Sequence, residues 1–350
     1  MSSALERNDV PSKKKIFYPI ENPLKQYLLK YDREMKLPLQ YSDMLRFNLS
    51  TPLLDKNDKD TLWQTVYYDE GEMKELYPAL KYIYSLMHAS GRLDVMDHLS
   101  VSRIDYCSFG NSHPFRVRII NRLNDNYDHF YVKRADASRV YGLELEHILS
   151  PNRISYFTDD DTLIEEHIPG LPGDVFVNEY LDGVKFNQTR ISKEFVKFNE
   201  RCFVRLLGDM RSYNFVVDIT PDIEGNQYRI RAIDFDQQSY EGKLRLYMPQ
   251  YFKENNNLVF MGIDSINEKT MKQYQQEERS IISHRIKLGR YRLKDLYNAS
   301  LTTELAPPEK TAALGKELAD YHQNNLFLNI THMGKMVNSH IIVCMENKNL

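Results

Sequence analysis

Three side chains in the second half of the chain have the types and spacing that phosphoryl transfer needs. Residues 208–214 read Gly208-Asp209-Met210-Arg211-Ser212-Tyr213-Asn214, and Asp234 comes twenty residues after Asn214 in Ile233-Asp234-Phe235-Asp236. Phosphoryl transfer depends on positioning and charge neutralisation rather than covalent help. It therefore calls for a carboxylate that takes the hydroxyl proton and oxygen donors that hold Mg²⁺. Asp209 suits the first role, and Asn214 and Asp234 suit the second. Arg211 has two readings, a fixed cation for the transferring group or a salt bridge to a local acid. Asp236 likewise either binds a second metal or caps a nearby turn.

These residues make one site only if the chain folds them together. Segments 214–219 and 228–235 read as two strands around a turn at 221–226, and that hairpin brings Asn214 close to Asp234. Phe195, Phe198, Cys202, Phe203 and Leu206 predict a helix at 192–207 that feeds straight into Gly208-Asp209. Upstream, segments 104–109, 115–121 and 128–133 read as strands, with turns at Gly110-Asn111-Ser112 and Asn124-Asp125-Asn126. A helix at 137–149 and strands at 153–158 and 162–168 come next, and Pro169-Gly170-Leu171-Pro172-Gly173 then breaks the chain. Residues 101–168 thus read as a small β lobe with one helix, and 169–350 as a larger, mainly helical lobe with helices at 266–284, 291–300 and 309–324. Residues 1–100 precede them as a helical region, with a frayed polar tail over 1–16 ending in Lys13-Lys14-Lys15.

The β lobe offers residues for a nucleotide. Lys133 ends the third strand. It either contacts the ATP phosphates, held by Glu144 (or, second, Glu146) on the next helix, or is a solvated strand-end lysine. The turn holding Gly110 and Ser112 supplies backbone N–H groups and a hydroxyl for phosphates, or is an ordinary hairpin turn. Backbone groups near Glu166 and Ile168, at the crossing into 169–350, suit adenine, with His167 as a hinge side chain.

Phe109-Gly110-Asn111-Ser112, Lys133 with Glu144, Ile164 to Gly170, Gly208-Asp209 with Asn214, and Ile233-Asp234-Phe235-Asp236 occur in that order over 108–236. The ordered set resembles the protein-kinase-like superfamily, most of all the branch of aminoglycoside phosphotransferases and choline kinases. The resemblance implies an α+β, two-lobed kinase fold. It also implies Asp209 as catalytic base, Asn214 and Asp234 as Mg²⁺ ligands, and Lys133 paired with Glu144 on the ATP phosphates. The chain departs from the pattern at Leu207, where the family usually has His, and at Arg211, where the small-molecule branch often has His. The first hundred residues and those after about 245 carry no motif of the family, and such parts usually choose the acceptor.

Composition narrows the class. The 350 residues are 42% hydrophobic and 27% charged, as in ordinary globular proteins. A net charge of −3 argues against a dedicated nucleic-acid binder. Cys107, Cys202 and Cys344 form no CxxC, the ten histidines form no HExxH, and no run of 18 apolar residues occurs, so a reducing cytoplasm and no membrane are expected. Two readings are a kinase for a small-molecule hydroxyl and a variant acting on a protein hydroxyl. Beside them stand a pseudokinase that binds a protein partner through 1–100, and a transferase that moves the nucleotide instead.

Overall fold

Phe115, Val117 and Ile119 are buried and alternate with half-buried neighbours, the period of a strand packed on one face. In a computed structural model, which describes residues 15–55, 57–181, 186–223 and 225–346, that strand lies in an antiparallel sheet of seven. Its members are β1 (Leu49–Leu54), β2 (Asp60–Tyr67), β3 (Leu99–Tyr106), β4 (Phe115–Asn121), β5 (Tyr127–Arg134), β6 (Tyr156–Asp159) and β7 (Thr162–Glu166). Their order is β1-β2-β3-β4-β5-β7-β6. The chain divides into two compact units, and the sheet belongs to the one made of residues 19–136 and 154–167.

The sheet unit also holds helices α1 (Asn22–Lys30), α2 (Tyr41–Met44) and α3 (Glu70–Ala89). Asp69 caps α3 by accepting from the Glu72 N–H. Leu76, Leu80 and Ile83 of α3 share one core with Phe115, Val117, Phe130, Val132 and Ile164 of the sheet. The expectation of a largely helical stretch before residue 101 fails at β1 and β2. Their burial patterns are ragged, so no clean alternation marks them. The turn between them is made locally, with the Asp55 carboxylate accepting from the Asn57 and Lys59 N–H groups. Pro52 is tolerated because β1 is an edge strand.

The other unit comprises, of the described residues, 15–18, 137–153 and 168–346. Helix α4 (Ala137–Leu149) opens it. The helix was expected with the β lobe but groups here, and its buried charges give the reason. Glu144 accepts two bonds from Arg292, both at 2.9 Å. Glu146 pairs with Arg205, and Arg139 pairs with Asp234 and Asp236. Helices α5 (Gln188–Arg205), α6 (Asn256–Ser265), α7 (Glu268–Leu288), α8 (Arg290–Ser300), α9 (Pro308–His322) and α10 (Met333–Glu346) make up most of the rest. A small antiparallel sheet joins β8 (Leu171–Pro172), β9 (Phe215–Asp222) and β10 (Gly225–Ala232). The tail expected over 1–16 lies, through residue 14, outside the described residues. Lys15 and Ile16 are not frayed, since the Ile16 N–H donates to the Tyr240 hydroxyl at 2.9 Å and Lys15 bonds Ser138. Among the described residues no helix is long and apolar enough to cross a membrane.

Candidate active site

The segment carrying Asp209 is fixed before any side chain is considered. Helix α5 ends in a left-handed residue, Leu206, at φ 52°. The chain then turns so that the Gly208 N–H donates to the Gln237 carbonyl at 3.1 Å and the Asp209 N–H to the Leu246 carbonyl at 3.0 Å. Asp209 is itself left-handed at φ 58°, a conformation that Asp and Asn tolerate better than most residues. On the far side of the loop Gly173 packs so closely that a Cβ would lie 2.3 Å from the Phe215 ring and the Ser212 carbonyl. Only glycine fits there, and its neighbour is the turn that presents Asn214.

The hairpin expected from the sequence forms, with Phe215 opposite Ala232. The Ile233 N–H donates to the Asn214 carbonyl at 3.0 Å, which puts Asp234 one residue beyond that contact. Asn214 Nδ2 donates to the Asp209 carbonyl at 2.7 Å and stands 3.5 Å from Asp209 Oδ2. Arg211 Nε donates to Asp209 Oδ1 at 2.8 Å while its Nη1 donates to Glu254 Oε1 at 2.6 Å. The three residues picked out by spacing are therefore neighbours, and Arg211 is salt-bridged to Asp209 on one side and Glu254 on the other.

Burial pushes the Asp209 carboxyl up to about 6. The bond from Arg211 opposes this, and the charges of Asp234 and Glu254 reinforce it. The group thus sits where a carboxylate is still mostly ionised at neutral pH yet basic enough to accept a proton. Arg211 stays cationic.

Two participants were invisible in the sequence. Glu254 holds the second arm of Arg211. Arg139, 1% exposed on α4, donates from Nη1 to Asp234 Oδ1 at 2.9 Å and to Asp236 Oδ1 at 2.7 Å. Asp234 Oδ1 also accepts the Asp236 N–H at 2.9 Å. Asp236 is buried, and these bonds fit the structural one of its two readings.

The residues assigned to the nucleotide from sequence are spread over both units. Lys133 is buried, not solvated, and donates to Glu165 Oε2 on β7 at 2.7 Å. Its strand neighbour there is Leu163, so Glu165, two residues on, shares its face. Glu144 is engaged by the two bonds from Arg292. Gly110 accepts from the His113 N–H at 3.0 Å, and buried Ser112 accepts from the Arg134 N–H at 3.2 Å, which ties that loop to the end of β5. Glu166 donates its N–H to the Ser155 carbonyl at 3.0 Å, and Ile168 is buried.

No protein-family model and no curated protein matches the chain. Among solved structures it is similar to "Titin kinase and its flanking domains", with 12% identity and a TM-score of 0.27 over 70% of this chain and 54% of that one. It is also similar to the autoinhibited serine kinase domain of titin, with 12% identity and a TM-score of 0.27 over 69% of this chain and 92% of that one. The chain spans about half the length of the first of these. Both neighbours are protein kinase domains, but an overlap this slight assigns no chemistry, which has to come from the residues themselves.

Proposed function

We propose that the chain is an ATP- and Mg²⁺-dependent phosphotransferase that passes the γ-phosphoryl group to a hydroxyl of a small molecule. The observation that carries this is the grouping of Asp209, Asn214 and Asp234 around a carboxyl raised to about 6 by burial. In this reading Asp209 accepts the proton of the acceptor hydroxyl. Arg211 holds Asp209 Oδ1 in place, and Glu254 holds Arg211. Asn214 and Asp234 offer carboxamide and carboxylate oxygens, the hard donors that Mg²⁺ prefers. Four carboxylates (Asp209, Asp234, Asp236, Glu254) face two guanidinium groups (Arg139, Arg211), which leaves the cluster net negative and suited to a cation. The metal, when bound, neutralises charge on the phosphate oxygens. Roles for Lys133 with Glu144, and for Gly110, Ser112, Glu166 and Ile168, in binding ATP rest on the sequence alone.

One observation favours a second reading, a pseudokinase that binds a partner without transferring phosphate. Arg139 already supplies a fixed positive charge to Asp234, the carboxylate assigned to the metal. Nucleotide stabilisation separates the two. The kinase reading expects ATP to raise the melting temperature only with Mg²⁺, and expects Asp234→Ala to abolish the rise. No shift with any nucleotide supports the second reading. Turnover of ATP against amino sugars, amino alcohols, nucleosides and generic proteins then identifies the acceptor class.

A further inference from the structure

Far along the chain from the Asp209 cluster, three metal-ligating side chains converge inside the same unit. His322 is the last residue of α9, and His340 and Cys344 stand four apart on α10, hence on one face. One ligand atom from each lies within 4.8 Å of the others. His322 Nε2 is 3.1 Å from His340 Nδ1, and Cys344 Sγ is 3.9 Å from that same nitrogen. Tetrahedral zinc with ordinary bond lengths spaces two nitrogens by about 3.3 Å and a nitrogen from a sulfur by about 3.6 Å. The two nitrogens match that spacing to a few tenths of an ångström, while Cys344 Sγ, 3.6 Å from His340 Nε2 and so over the ring face, has to swing to the Nδ1 edge.

The surroundings are those of a metal-binding histidine. His340 Nε2 lies 3.0 Å from the Phe203 carbonyl and donates to it. That bond fixes the tautomer and turns the Nδ1 lone pair toward His322. His340 and Cys344 are almost wholly buried. Phe327 stacks on His322 at 5.4 Å, and Phe203 meets His340 edge-on at 4.8 Å, so aromatic rings wall the group. Arg279, whose charge bears on His340 and Cys344, is paired with Glu200. Cys344 also lines a cleft of about 440 Å³ with Arg279 and His284, which gives an ion a way in.

We propose that His322, His340 and Cys344 form a zinc site that ties α9 and α10 to the end of α5. On binding, the His340 Nδ1 lone pair, which accepts from His322 Nε2–H, turns to the metal. The His322 proton moves to its own Nδ1 and frees Nε2. The Cys344 thiol releases its proton to solvent and binds as thiolate. Water completes the fourth position.

The test uses the untagged full-length chain, stripped with a chelator and titrated with Co²⁺ and then Zn²⁺. One Co²⁺ per chain is expected, with a thiolate-to-cobalt absorption and the visible bands of tetrahedral coordination, all displaced by Zn²⁺. Cys344→Ser should remove the thiolate band while leaving the helical circular dichroism intact. The half-buried His322, changed to Gln, should weaken Zn²⁺ binding roughly tenfold or more. A wild-type protein that binds Co²⁺ without the thiolate band, or binds none, overturns the proposal. So does unchanged binding in both variants.

Discussion

In the proposed reaction Asp209 is the base, and its environment dictates two measurable behaviours. As a base it must be unprotonated, so transfer activity should rise with pH through about 6 and level off above it. Asp209→Asn keeps the shape, the left-handed backbone and a partner for Arg211, but cannot take a proton. Its kcat should fall roughly 10²–10⁴-fold with ATP binding retained; normal turnover would show that the base lies elsewhere. The same carboxyl contributes to stability with a definite sign. Its folded-state value lies above the ordinary 3.8, so between the two values the folded chain binds more protons than the unfolded one. Stability from this group therefore declines as pH rises through that window. Denaturation of the Asn variant from pH 4 to 7 should show that decline removed.

At the scale of elements, α4 is the part that the sequence places least well. Its bounds were legible, since 137–149 is the span observed. Its allegiance was not, because pairings of Arg139, Glu144 and Glu146 with residues 59 to 148 positions away leave no local trace. The β9–β10 hairpin was legible for the opposite reason: a local turn sets its register. Helices α6 and α10 went unread, as did β1 and β2, where β-rich composition is not matched by alternation. Within the candidate site, Asp209, Asn214 and Asp234 could be read from spacing, whereas Arg139 and Glu254 come from elements that only the tertiary fold brings near. Arg139→Met tests the importance of α4. Leaving Asp236 buried without its guanidinium should cost about 3–5 kcal/mol in chemical denaturation. A loss below about 1 kcal/mol would mean that α4 is held by its apolar side chains alone.

For the whole molecule, the division into units does not follow the chain. Each unit is assembled from separated segments, so the boundary near residue 168 suggested by Pro169-Gly170 is not a place to cut. A fragment of 169–350 lacks α4 and with it the partners of Arg205, Asp236 and Arg292. It should be insoluble or lack a cooperative unfolding transition, while the full chain retains one. A soluble, cooperatively folding 169–350 would show that those buried charges find other partners. The bidentate pair of Glu144 with Arg292 also has a consequence for how the protein is made. The two residues are 148 positions apart. At ordinary translation rates Glu144 leaves the ribosome roughly 7–30 s before its partner does. Throughout that interval α4 cannot bury the Glu144 carboxylate against its partner, and the nascent chain holds an unfinished helix that a chaperone, or nothing at all, must shield until residue 292 emerges.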